Sequence, residues 1–251
     1  MNLSGTKINT VIIDDEWTEW APAKKAEPAP PVYLDFNTPP LALVLAMQDA
    51  GKDGCEIYAT LQGVGKSKIN TENVVTIEHQ KRAAAIYDYF AKKHTMRRIK
   101  GEWISEYMLA VDDLCENRKK INPKNFTVLI SLPRIYKQNR SLERLMKGHK
   151  SAPKPDDLHY PAMEGEIEFV EKIHIKHRGK NEVHYYFSTP NNYLMRIVTK
   201  KGEYGESAWN VLANAGKLNI STDATFVMSI TGYDFNVIQP TPDMEIEIIN
   251  D

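Results

Sequence analysis

The hydrophobic period of the chain changes at residues 151–157, Ser-Ala-Pro-Lys-Pro-Asp-Asp. Upstream, apolar residues recur at helical steps; downstream, they fall on every second position. A stripe patterned at 3.6 residues cannot be buried by a strand, nor an alternating one by a helix, so the two stretches must build different layers. The fold class this dictates is α+β: a mixed, largely helical central region followed by a C-terminal antiparallel β-barrel or sandwich. Three parts are expected. Residues 1–37 read as an acidic, Trp-containing segment with a Pro-rich linker, 38–150 as a basic α+β domain, and 158–251 as a β-barrel-like domain.

Within the central part, Thr38-Pro39-Pro40 opens a helix that Gly51 stops. Glu78 to Lys93 is helical, and Thr95 to Gly101 reads as a basic turn. A further helix then places Trp103, Ile104, Tyr107, Met108, Val111, Leu114 and Cys115 on one face, with Cys115 as a buried small hydrophobe. Strands are predicted at Cys55–Leu61, 73–77 and 126–132, the last stopped by Pro133, with a short basic helix from Ser141 to Lys147. In the C-terminal part, Glu164 to Ile175 alternates, and strand-like runs follow at 183–188, 193–199, 225–233 and 244–249. A helical insertion is expected at 206–215. This succession of short strands resembles OB-type barrels in outline, and the resemblance implies a surface that binds single-stranded nucleic acid.

The formal net charge of −1 conceals a strong asymmetry. Residues 76–155 carry eleven Lys and seven Arg against eight acids, a net +10, while the flanking stretches carry −4 and −7. Such a centre attracts a polyanion or is neutralised by its own flanks. Two cysteines, Cys55 and Cys115, exclude a disulfide scaffold, and no run approaches the ~18 apolar residues of a membrane span. With no secretory leader pattern at the N-terminus, a cytoplasmic location is expected.

Motifs for chemistry are sparse. Gly65-Lys66-Ser67 ends like a phosphate loop, but the required glycine five residues earlier is Thr60. The seven histidines form no metal-binding spacing, and neither a nucleophile elbow nor a spaced carboxylate pair is present. No cofactor or metal is expected, and the sequence favours a protein without catalytic activity.

The predicted function is therefore a nucleic-acid-binding accessory protein, for single-stranded DNA or RNA rather than duplex, in a replication, repair or mobile-element (phage) context. Its contacts are expected from Lys92, Lys93, Arg97, Arg98, Lys100, Arg134, Lys137, Arg140 and Arg144 in the basic centre. Lys176, Arg178, Arg196, Lys200 and Lys201, with Tyr186 and Tyr193 for base stacking, are expected to add to them from the strands. The Arg97-Arg98-Lys100 turn should project as a cationic corner and matter more to binding than the C-terminal strands, whose domain carries −7. A second reading is a protein-interaction module, an inhibitor or adaptor docking through the acidic segment of Trp17 and Trp20 or through charged faces; an enzyme of undefined class comes third.

Overall fold

A computed structural model describes residues 33–64, 74–154, 163–177, 180–222, 225–230 and 232–249. Tyr33–Asp251 forms one compact unit. Five helices make its first layer: α1 (Pro40–Asp49), α2 (Gly54–Val64), α3 (Ile77–Ile99), α4 (Glu106–Glu116) and α5 (Phe126–Gly148). The two-residue strands β1 (Leu34–Asp35) and β2 (Lys120–Ile121) pair antiparallel beside them. Residues 40–46 of α1 are buried all round, as an apolar helix at the centre of a bundle must be.

Two predicted strands are helices. Asp53 Oδ1 accepts from the amides of Cys55 and Glu56, both at 2.8 Å, and Glu56 reaches back to the Asp53 amide at 3.1 Å. This reciprocal cap starts α2 where a strand was expected, and its inward positions Ile57 and Leu61 lie one helical turn apart. Residues 126–132 likewise open α5, burying Phe126, Leu129 and Leu132 at every third position. Pro133 does not end that helix, because a proline removes a single backbone donor and both flanking segments are anchored by packing. Of the predicted 73–77 strand, the described residues 74–77 form the entry to α3: Thr76 caps the helix and exchanges bonds with His79.

Helix α3 also absorbs most of the expected basic turn. It runs on to Ile99 and stops where Gly101 takes up φ +68°, a conformation that favours glycine. Helix α4 begins after the Ser105 cap, so Trp103 lies outside it and is 82% exposed. Met108, Val111, Leu114 and Cys115 are buried as expected.

The second layer is a seven-stranded sheet of β3 (Met163–His177), β4 (Lys180–Ser188), β5 (Leu194–Lys200), β6 (Lys217–Thr222), β7 (Thr225–Ser229), β8 (Asn236–Pro240) and β9 (Glu245–Ile248). Its spatial order is β7-β8-β5-β4-β3-β6-β9, antiparallel except for the β5–β8 pair. Helix α6 (Tyr204–Ala215) occupies the expected insertion. Strands β6 and β8 are additional to those predicted.

Among the described residues the sheet is open: β7 and β9 are its two edges, and its strands do not close into a barrel. The physical reason is that both faces of its centre are covered. Val183 to Phe187 of β4 are buried without interruption. On one face Tyr185 and Phe187 pack with Trp209 and Ala213 of α6; on the other Tyr186 packs with Leu142 and Leu145 of α5. A sheet covered by helices on both sides has no need to curl onto itself to bury its apolar residues.

Candidate functional site

Helix α5 organises the basic surface. Its apolar residues split between two cores: Phe126, Leu129 and Leu132 lie in the helical one, Leu142 and Leu145 against the sheet. Between and beside them Arg134, Lys137, Arg140, Arg144 and Lys147 follow one another at steps of three and four, which aligns them along one side of the helix. They line an open cleft of about 1030 Å³ whose facing wall includes Leu45 and Gln48 of α1 and Arg82, Ala85 and Ile86 of α3. Gln48 Nε2 donates to the Ile130 carbonyl at 3.2 Å, tying that wall to α5.

A second cleft of about 370 Å³ shares Arg140 and Glu143 with the first. The last turns of α3 supply Lys92, Lys93, Met96 and Arg97 to it, with Lys100 just beyond, and Tyr233 lies opposite. Six cations line the larger cleft and four more the smaller, against the three carboxylates Glu102, Glu143 and Glu171. Cations at the end of α3 also complement its dipole, so the local fold favours holding them there.

Carboxylates take part of this charge. Arg82 pairs with Asp49 at 2.5 Å, Arg140 with Glu143 at 3.3 Å, and Arg144 places one Nη between both oxygens of Glu171 at 2.9 and 3.0 Å. The Arg82 hydrogen bond holds the Asp49 carboxyl below its ordinary value. At the heart of the smaller cleft, Lys93 Nζ donates to the Tyr233 hydroxyl at 2.7 Å, and Tyr89 donates to Glu143 at 2.5 Å. Burial lowers the Lys93 ammonium to about 8 and raises the Tyr233 phenol to about 12.

The structure thus brings together Lys92, Lys93, Arg97, Lys100, Arg134, Lys137, Arg140 and Arg144. The remaining nominated residues lie elsewhere. Arg98 turns away to bond Asp112, whose other oxygen is 2.6 Å from His94 Nδ1, so the expected cationic corner is split. Tyr186 is 1% exposed, because both faces of β4 are covered; no base can stack on it without opening the core. Tyr193 is half-buried against the α6-side core. Arg196 is committed to Gln239 at 3.0 Å, Lys200 pairs with Glu203 at 3.2 Å, and Lys176 and Lys201 are exposed near the β3–β4 hairpin and the end of β5. Trp17, Trp20 and Arg178 lie outside the described residues, as does most of the Gly63–Ser67 run.

Sequence reasoning missed Arg82, Lys147 and the tyrosines 89, 136 and 233. Lys147 was legible as the next step of the stripe once α5 is read as one helix; Tyr233 carries no local signal. Among the described residues no group of three His, Cys, Asp or Glu could hold a metal ion. No helix among them is long and apolar enough to cross a membrane. Comparison with family models, curated proteins and solved structures gives no match for this chain.

Proposed function

We propose that the protein is a nucleic-acid-binding accessory protein that takes a single strand along the cationic groove of α5. The observation that carries this is the convergence of ten cations on two contiguous clefts, in a chain whose overall charge is near zero. The stripe from Arg134 to Lys147 extends ~20 Å at ~1.5 Å per residue, the length over which a stacked strand carries about six phosphates at ~3.4 Å each.

Concavity favours a strand over a duplex. A helix that reads duplex DNA must project into the major groove, whereas α5 presents its cations within a cleft walled by α1 and α3. Tyr136 lines the larger cleft and Tyr89 and Tyr233 the smaller, the mixture of cations and aromatic rings that single-strand grooves use. Sequence preference should be weak, because the contacts are to phosphate.

Fluorescence anisotropy with labelled oligonucleotides tests this. Affinity should fall steeply with salt, and Arg134→Ala/Lys137→Ala should reduce the slope of log affinity against log salt by about 1.4, ~0.7 per lost phosphate contact. Absence of association at low salt overturns the reading.

A further inference from the structure

The smaller cleft holds a half-buried ammonium whose hydrogen-bond partners are two neutral phenols. Lys93 Nζ lies 2.7 Å from the Tyr233 hydroxyl, 3.3 Å from that of Tyr89, and 4.4 Å from the Tyr233 ring centroid. Burial, with Glu143 as acceptor, raises the Tyr89 phenol well above its ordinary range, and burial raises Tyr233 likewise, so neither carries charge at neutral pH. Glu143 is already engaged by Tyr89 and Arg140. Among the described residues no carboxylate stands within ion-pair distance of Nζ. Glu143 acts on Nζ only from beyond Tyr89, opposing without cancelling the cost of burial, so the ammonium is partly compensated in a cleft where other cations gather.

The charged groups around Lys93 come from every side. Lys92, Arg97 and Lys100 stand at the end of α3, Arg140 and Glu143 on α5, and Glu102 on the segment after α3. Arg97 is turned aside, donating to the Gly232 carbonyl at 3.3 Å and pairing with Glu102 at 3.5 Å. Of the cations lining the cleft, Lys92, Lys93 and Lys100 have no carboxylate within ion-pair distance among the described residues, while Arg140 pairs with Glu143 at 3.3 Å.

We propose that this cleft binds a phosphate monoester, the terminal phosphate of a strand lying in the adjoining groove. Only the source of the phosphate rests on the single-strand reading; the monoester chemistry does not. A monoester carries about −1.5 to −2 charge and three acceptor oxygens, where an internal diester has one charge and two free oxygens. Three acceptors can engage Lys93, Lys92 and Arg140 together. The cleft volume of about 370 Å³ falls within the ~300–1,000 Å³ of small-ligand sites. It shares Arg140 and Glu143 with the larger groove, so a strand lying in that groove would have its end beside this cleft.

Proton uptake gives the site a signature of its own. A dianion beside Nζ favours the charged amine, and burial leaves the free Lys93 partly neutral from about pH 8 upward. Binding a monoester should therefore draw in a proton at about pH 9 and almost none at about pH 7.

The experiment compares full-length protein binding oligonucleotides that end in 5′-phosphate, 3′-phosphate or hydroxyl, and binding inorganic phosphate, by calorimetry in buffers of different ionisation enthalpy. A phosphorylated end should bind about tenfold tighter than a hydroxyl end, the gain of one or two charge-assisted hydrogen bonds, and take up a proton at the higher pH. Lys93→Met should abolish the preference. Lys93→Arg, whose guanidinium stays charged, should keep the preference and lose the proton uptake. Equal affinity for all ends, or a preference undiminished in a folded Lys93→Met, overturns the monoester site and leaves the groove reading standing. Uptake-linked binding of inorganic phosphate with no oligonucleotide binding supports the site and overturns the single-strand reading. Binding of neither overturns both.

Discussion

Burial of the Lys93 ammonium carries a folding cost that depends on pH. Its value in the folded protein, about 8, lies below the ordinary 10.5, so between these two pH values the unfolded chain binds more protons. Stability from this group therefore rises with pH across that window, and below it the full cost, about 1–3 kcal/mol, is present. Lys93→Met keeps the stem and removes the charge. Its stability relative to wild type, measured by denaturant unfolding, should be most favourable at pH 7 and decline by about that amount by pH 10. The loss of two hydrogen bonds to phenols offsets the difference by a constant and leaves the slope intact. A difference that does not vary with pH means that burial of the charge is not costly. A residue that is expensive to keep and lines a cleft is the pattern expected where function, not stability, selected it.

At the scale of elements, the individual cations were legible in the sequence and their alignment was not. Arg134, Lys137, Arg140 and Arg144 stand out by composition, but reading 126–132 as a strand cut α5 in two and broke the stripe. The β-branched run Thr127-Val128 and the following Pro133 argued for that break. The spacing of Phe126, Leu129 and Leu132 argued against it, and packing decided. In α2 the signal was local and overlooked: Asp53 and Glu56 have the spacing of a reciprocal helix cap. The α3 terminus shows how tertiary contacts sort adjacent arginines of identical chemistry. Arg97 lines the smaller cleft while bonding the Gly232 carbonyl and pairing with Glu102, and Arg98 holds Asp112, whose side chain is only 13% exposed and also bonds the buried His94. Arg98→Ala should cost about 1–2 kcal/mol by leaving that carboxylate half-satisfied, a drop of several degrees in melting temperature. Oligonucleotide affinity should stay close to wild type. Unchanged melting with weakened binding would return Arg98 to the interface.

At the scale of the whole molecule, helices α1–α5 precede the change of period and the strands of the sheet follow it, but period alone does not say what covers each face. The uninterrupted apolar run from Val183 to Phe187 held that information, since a strand with one wet face alternates and a strand covered on both does not. The helix that covers one of those faces belongs to the other layer. Helix α5 buries Leu129 and Leu132 among α-helices and Leu142 and Leu145 on the sheet, so a single continuous element is part of both cores. Layers sharing such an element should lose structure together. Leu129 is fully buried in the helical core, and Leu129→Ala should remove about 2–5 kcal/mol there. If opening is cooperative, native-state hydrogen exchange will show the slowest amides of β4, Val183 to Phe187, losing as much protection as those of α3, although no atom of Leu129 belongs to the cores on either side of β4. Protection lost in α3 alone, with β4 unchanged, would mean that the two layers open independently and that α5 bends or frays at Pro133 to allow it.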